Sequence, residues 1–145
     1  MKIPALALIL VTDGGRMVLL RNCGGARSPR LEAIEHREVV LVANRELSRD
    51  RPGRAFSSAT PARSAYGQSD RQKGLREEFL DAAIASLAEF SDEDTPGIIL
   101  AADPVSLGYL RGKCPRDLRR KLIAEIDRDY AAMPVAQITR RLLAE

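Results

Sequence analysis

Apolar residues fall into short unbroken runs in the first third of the chain and mostly into helical spacing after it. Ala5 to Thr12 is continuously apolar and contains Ile9 and Val11, the pattern of a central strand buried on both faces. Asp13-Gly14-Gly15 is a tight-turn signal, because glycine tolerates positive φ. Arg16 to Arg21 then reads as a second strand, antiparallel to the first, and Asn22-Cys23-Gly24-Gly25 breaks it. Leu31 to Arg37 alternates as a third, more exposed strand. Glu38 to Ala43 is also strand-like, and it either extends that strand or forms a separate piece.

The pattern changes at residues 44–70, which are rich in Arg, Ser, Pro, Gly and Ala and show little periodicity. A stretch this long inside a compact domain reads as disorder or as a binding loop. Ser69 and Gln72 have capping-box spacing and are expected to open a helix. Leu75, Phe79, Ala83, Leu87 and Phe90 line one face of that helix. Gly97 to Ala102 is another buried strand, and Asp103-Pro104 supplies a helix cap and first turn. A longer helix is expected from Pro115, with Leu118, Leu122, Ile126 and Tyr130 on one face. A last helix follows Met133-Pro134, carrying Val135, Ile138 and Leu142.

Strand, strand, strand, helix, strand and further helices predict one α/β domain over residues 1–145. It would have a mixed sheet with helices packed on it, in a ribonuclease H-like layout. Composition sharpens this picture. Aromatic residues are 4% of the chain and Trp is missing, so the core must be aliphatic and few side chains could stack on bases. The apolar N-terminal run is short, contains Pro4 and lacks a small-residue cleavage site. It reads as a buried strand rather than a signal peptide, and a cytoplasmic protein without a membrane contact is expected.

Net charge is +3, with 23 basic residues of which only four are Lys. Arginine is the better fork for phosphate and carboxylate, although Arg-favouring codon usage also explains the bias. From Arg45 to Arg76 eight basic residues face three acidic ones, so the positive excess is concentrated there. Cys23 and Cys114 lie far apart and His36 is the single histidine. Zinc ligation is therefore ruled out, two free thiols are expected, and no cofactor is implied.

Two constellations could carry chemistry. Asp13 ends the first strand and Asp103 the fourth. If those strands are parallel neighbours, the two carboxylates share an edge, and Glu78 of the intervening helix could join them around Mg²⁺ for phosphodiester hydrolysis. The plainer reading makes Asp13 a turn residue and Asp103 a helix cap. Arg49, Asp50, Arg51 and Arg54 form a dense cationic loop suited to phosphate or to an acidic protein surface, or else a solvated loop with Asp50 paired internally. Arg116, Arg119, Arg120 and Lys121 read as a solvated helix face. His36 has no nucleophile partner, and neither Gly-Gly pair is followed by the Lys-Ser/Thr of a phosphate loop.

Four segments together resemble the bacterial family described as "protein required for attachment to host cells". They are Val11-Thr12-Asp13-Gly14-Gly15-Arg16; Asp50-Arg51-Pro52-Gly53-Arg54-Ala55-Phe56; Leu100-Ala101-Ala102-Asp103-Pro104 with Leu107-Gly108 and Leu110-Arg111; and Ala124 to Tyr130 followed by Met133-Pro134. That family is similar to the middle domain of archaeal and eukaryotic peptide-chain release factors. The resemblance implies a ribonuclease H-like α/β fold and a connection to RNA or the ribosome. The chain has no Gly-Gly-Gln tripeptide, so peptidyl-tRNA hydrolysis is not implied. Cys114 and Asp103 depart from the family's pattern, and the second departure weakens the metal reading. The leading expectation is a non-enzymatic binding or adaptor domain; the alternative is a Mg²⁺-dependent nuclease using Asp13, Glu78 and Asp103.

Overall fold

The computed structural model describes residues 1–39 and 61–145. Its elements are β1 (Leu8–Thr12), β2 (Arg16–Asn22), β3 (Leu31–Glu38), α1 (Pro61–Phe90), β4 (Ile98–Ala102), α2 (Pro104–Lys113), α3 (Arg116–Lys121), β5 (Leu122–Asp127) and α4 (Val135–Ala144). The strands make one mixed sheet in the order β3-β2-β1-β4-β5. β1 pairs antiparallel with β2 and parallel with β4, and β5 lies parallel to β4. This is the α/β, ribonuclease H-like arrangement expected from the element order.

Every residue of β1 and β4 is buried, as unbroken apolar strands require at the centre of a sheet covered on both faces. One face packs Leu8, Leu10, Met17, Leu19, Ile98 and Leu100 against Leu80, Ala83 and Leu87 of α1 and Leu107 and Leu110 of α2. The other packs Ile9, Val11, Leu20, Ile99 and Ala101 against Ile3, Tyr130 and Ile138 and Leu142 of α4. Each fully buried Leu or Ile contributes about 1.5–3 kcal/mol, so the aliphatic core needs no aromatic centre.

Three elements differ from the sequence reading. First, α1 begins at Pro61 rather than Ser69, so Ser69 and Gln72 lie inside the helix and do not cap it. Proline fits the first turn of a helix, where its missing N–H costs nothing, so Pro61 is compatible with the helix start. The Arg-rich loop therefore cannot extend to residue 70. Second, the helix opened at Pro115 stops at Lys121, and Leu122–Asp127 is β5. Leu122 and Ile126 are four residues apart, a spacing that suits one face of a helix or of a strand. The ladder of β4 decides between them by needing a partner on its second side.

Third, β5 is not regular. The register slips between Ile98 and Ile99, where Leu122 and then Ala124 are the partners. The bulged Ile123 is 48% exposed and leans against Gly97, where a Cβ would lie 2.9 Å from its side chain. Leu122 consequently serves the α1 face of the core, and Ala124 and Ile126 serve the α4 face. The strand reading of Glu38–Ala43 holds for Glu38, and Val39 still donates to the Gly15 carbonyl at 2.8 Å; residues 40–43 lie outside the described residues.

Candidate functional site

β1, β4 and β5 all end at one rim of the sheet, and the chemistry-bearing residues collect there. Thr12 is registered opposite Ala102, so Asp13 and Asp103 occupy equivalent places on adjacent parallel strands, a spacing of about 5 Å between chains. Both perform the local duties their contexts predict. Asp13 Oδ1 accepts from the Gly15 and Arg16 amides at 2.9 and 2.7 Å. Asp103 caps α2, its Oδ2 accepting from the Ser106 amide at 3.2 Å, with Pro104 in the first turn. The sheet thus sets the two residues at one rim, on adjacent strand ends.

It does not bring Glu78. That residue is exposed, whereas Arg76, Leu80, Ala83 and Leu87 follow the spacing of the sheet-facing side of α1; two residues at 3.6 per turn put Glu78 well away from it. Among the described residues no three His, Cys, Asp or Glu side chains are grouped to hold a metal ion. The three-acid site expected for a nuclease is therefore not assembled.

The glycine of the expected turn and two residues that sequence reasoning passed over, Arg76 and Ser106, complete the rim. Gly14 has φ +84° and is buried, and a Cβ there would lie 2.6 and 2.8 Å from Arg76 Cγ and Cδ and 3.3 Å from Ser106 Oγ. Only glycine suits this turn, both for its backbone and for the arginine stem laid across it. Ser106 is 0% exposed, and its Oγ has no hydrogen-bond partner among the described residues; the same holds for the buried Oδ1 of Asp103. Ser106 was legible as the third residue of a capped helix, but its orientation toward the Gly14 turn depends on the β1–β4 pairing.

The remaining candidates are dispersed. Arg49, Asp50, Arg51 and Arg54 lie outside the described residues. In the second basic cluster, Arg119 donates to the carbonyls of Arg111 and Cys114 at 2.8 and 3.3 Å, closing the end of α2, while Lys121 donates to the Asp92 carbonyl. Arg116 and Arg120 are exposed. His36 is exposed on β3 opposite Val18. Cys23 and Cys114 are free thiols, and burial is the main cause pushing each above the ordinary thiol pKa. Tyr109 Oη donates to Asp81 Oδ1 at 2.8 Å; burial and then that bond push its hydroxyl up to about 12. Among the described residues no helix is long and apolar enough to cross a membrane.

The model of bacterial archaeo-eukaryotic release factor family 12 matches residues 6–142. The chain belongs to that family. The match takes in all five strands and nearly all of α4, so the release-factor likeness suggested by four short segments extends over the whole sheet. No curated protein matches the chain. Within this family-12 domain, three buried side-chain oxygens of the described residues have no hydrogen-bond partner: Asp103 Oδ1 and Ser106 Oγ at this rim, and Ser86 Oγ in α1.

Proposed function

We propose that this release-factor-like domain is a non-enzymatic adaptor that binds RNA of the translation machinery in the cytoplasm, with the whole chain acting as one unit. The observation that carries the reading is the family match over residues 6–142 in a chain without the Gly-Gly-Gln tripeptide. Loss of that tripeptide removes the hydrolytic step while leaving the scaffold that docks. The rim supplies the place. β3 ends there with Glu38 bonded to Arg16 at 3.1 Å, and Arg76 of α1 crosses Gly14 there, so described residues on both sides of the Arg-rich segment reach this rim. Arg49, Arg51 and Arg54 would contact phosphates, with Asp50 orienting a neighbouring arginine. The host-attachment description that the sequence resembles would then be a distant consequence of this binding.

The test is recovery of ribosomes or ribosomal RNA on the intact protein across a salt series. Binding should weaken steeply with salt, and the double variant Arg51→Ala/Arg54→Ala should lower the slope of log K against log salt by about two. A wild-type protein that recovers no RNA, or whose RNA binding ignores salt and both arginines, overturns the adaptor reading. Mg²⁺-dependent RNA cleavage lost in Asp13→Asn would replace it with the nuclease, and capture of an acidic protein alone would replace it with a protein-docking module.

A further inference from the structure

We propose that the amino-end rim of the sheet, opposite the rim of Asp13 and Asp103, is a surface through which two copies of this chain pair about a two-fold axis. Its two ends carry opposite charge and its centre is apolar and exposed. At one end, the β2–β3 connection holds Arg21, Arg27 and Arg30 and no acid between Arg21 and Leu31, with Arg27 and Arg30 exposed. At the other, the turn from α1 into β4 holds Asp92, Glu93 and Asp94, all exposed, and no base between Ser91 and Gly97. The entry to β1 lies between them: the Leu6 amide donates to the Asn22 carbonyl and the Leu8 amide to the Gly97 carbonyl, at 2.8 and 3.1 Å.

The centre calls for a cover. Leu6 is 50% exposed, and Ile123, which lies against Gly97, is 48% exposed. Leu6 also sits at φ 69°, a left-handed conformation that is costly for a residue with a Cβ. A leucine held in strained backbone with half its side chain in water gains nothing for a single chain, but it suits an apolar contact that another surface covers. Both charged ends are fixed in place. Asn22 fastens Gly24, Gly25 and Arg30, while Asp92 Oδ1 and Thr95 Oγ1 accept from the Asp94 and Asp92 amides to close the acidic turn. Among the described residues Arg27, Glu93 and Asp94 enter no ion pair, and Arg30 meets Glu32 at 3.4 Å with both side chains exposed. Lys121 is the one base beside the acidic turn among the described contacts, and it is engaged with the Asp92 carbonyl and the Ser91 hydroxyl. A two-fold axis through the centre sets the arginine end of each copy against the acidic end of the other and brings the apolar centres together. Such a surface is complementary to itself, which is what an isologous dimer requires. The inference does not rest on the adaptor reading, which uses the other rim, so either can fail without the other.

The experiment is sedimentation equilibrium of the intact protein, freed of nucleic acid. Wild-type protein should be a dimer at tens of micromolar and should dissociate as salt is raised. Leu6→Gly should weaken the dimer at least about tenfold, while its melts stay cooperative because glycine takes the positive φ freely. Arg27→Glu/Arg30→Glu and Glu93→Lys/Asp94→Lys should each be monomeric alone. An equimolar mixture of those two should dimerise again, because every reversed end then faces its opposite. Thermal melts establish that each variant is folded. Wild-type protein that stays monomeric at hundreds of micromolar overturns the proposal. So does a dimer indifferent to Leu6→Gly and to both charge reversals, or a mixture of folded reversal variants that stays monomeric.

Discussion

The two rims of the sheet are built from similar short, glycine-containing loops, yet one satisfies its polar groups and the other leaves them over. At the amino-end rim, Asn22 is wholly buried and its side chain is used up: Nδ2 donates to the carbonyls of Ile3, Pro4 and Gly25, and Oδ1 accepts from the amides of Gly24 and Arg30. Its backbone also donates to Ala7 and accepts from Leu6, which sits at φ 69°. One amide therefore ties the chain entry, the end of β2 and the start of β3 into a knot with no capacity left. At the carboxyl-end rim, Asp103 and Ser106 keep two buried oxygens without partners. A group fully engaged by its own chain is structural, whereas Asp103 Oδ1 and Ser106 Oγ have no such duty among the described residues.

The largest effect should come from breaking the satisfied rim. Asn22→Ala strands the Gly24 and Arg30 amides and three carbonyls, and should lower unfolding free energy by about 3 kcal/mol in urea denaturation. A loss below about 1 kcal/mol would show that the loop re-forms its bonds elsewhere. Gly24→Ala belongs with it, because the new Cβ would press on the Ser28 carbonyl and come within 2.8 Å of the Arg30 amide, both backbone.

Gly14→Ala should cost about 1–3 kcal/mol at the opposite rim, through its positive φ and its contact with the Arg76 stem. That stem is flexible, so Arg76→Ala in the same chain should recover part of the loss and leave the backbone part. A double-mutant cycle on thermal stability reads the coupling, and strict additivity would deny that Arg76 lies across the turn.

Smaller changes probe the cap. Asp103→Ala should cost about 1 kcal/mol for the lost N-cap, whereas Asp103→Asn should be nearly neutral. Ser106→Ala should be neutral or mildly stabilising, since it removes a buried hydroxyl that bonds to nothing among the described residues; a loss above about 1 kcal/mol would reveal a partner inside the protein. Smallest of all is a titration. Tyr109 should ionise near 12, and Asp81→Asn should bring it down, followed by absorbance of tyrosinate. Because the folded pKa lies above the unfolded value of 10.0, this group's contribution to stability is present below pH 10 and is lost as pH rises toward 12.

What the sequence determined by itself was the set of elements whose pattern admits one reading. Ala5 to Thr12 and Gly97 to Ala102 read as central strands from their unbroken apolar runs, although β1 starts only at Leu8 because Leu6 turns at φ 69°; Asp13-Gly14-Gly15 reads as a turn and Asp103-Pro104 as a helix start. That Asp13 and Asp103 share one rim was only conditional in the sequence, on the two strands being parallel neighbours, which the sheet supplies. Tertiary structure alone decided the rest. Leu122–Asp127 became a strand because β4 had an unpaired edge, a need that no local window contains. Glu78 was turned outward and Arg76 inward by the rotation of α1 on the sheet, a difference of two residues in a helix whose apolar stripe is loose. The unpartnered oxygens of Asp103 and Ser106 exist only because α2 starts against the Gly14 turn: hydrogen-bond capacity is written in the residue type, but whether it is used depends on what the fold brings within 3 Å of it.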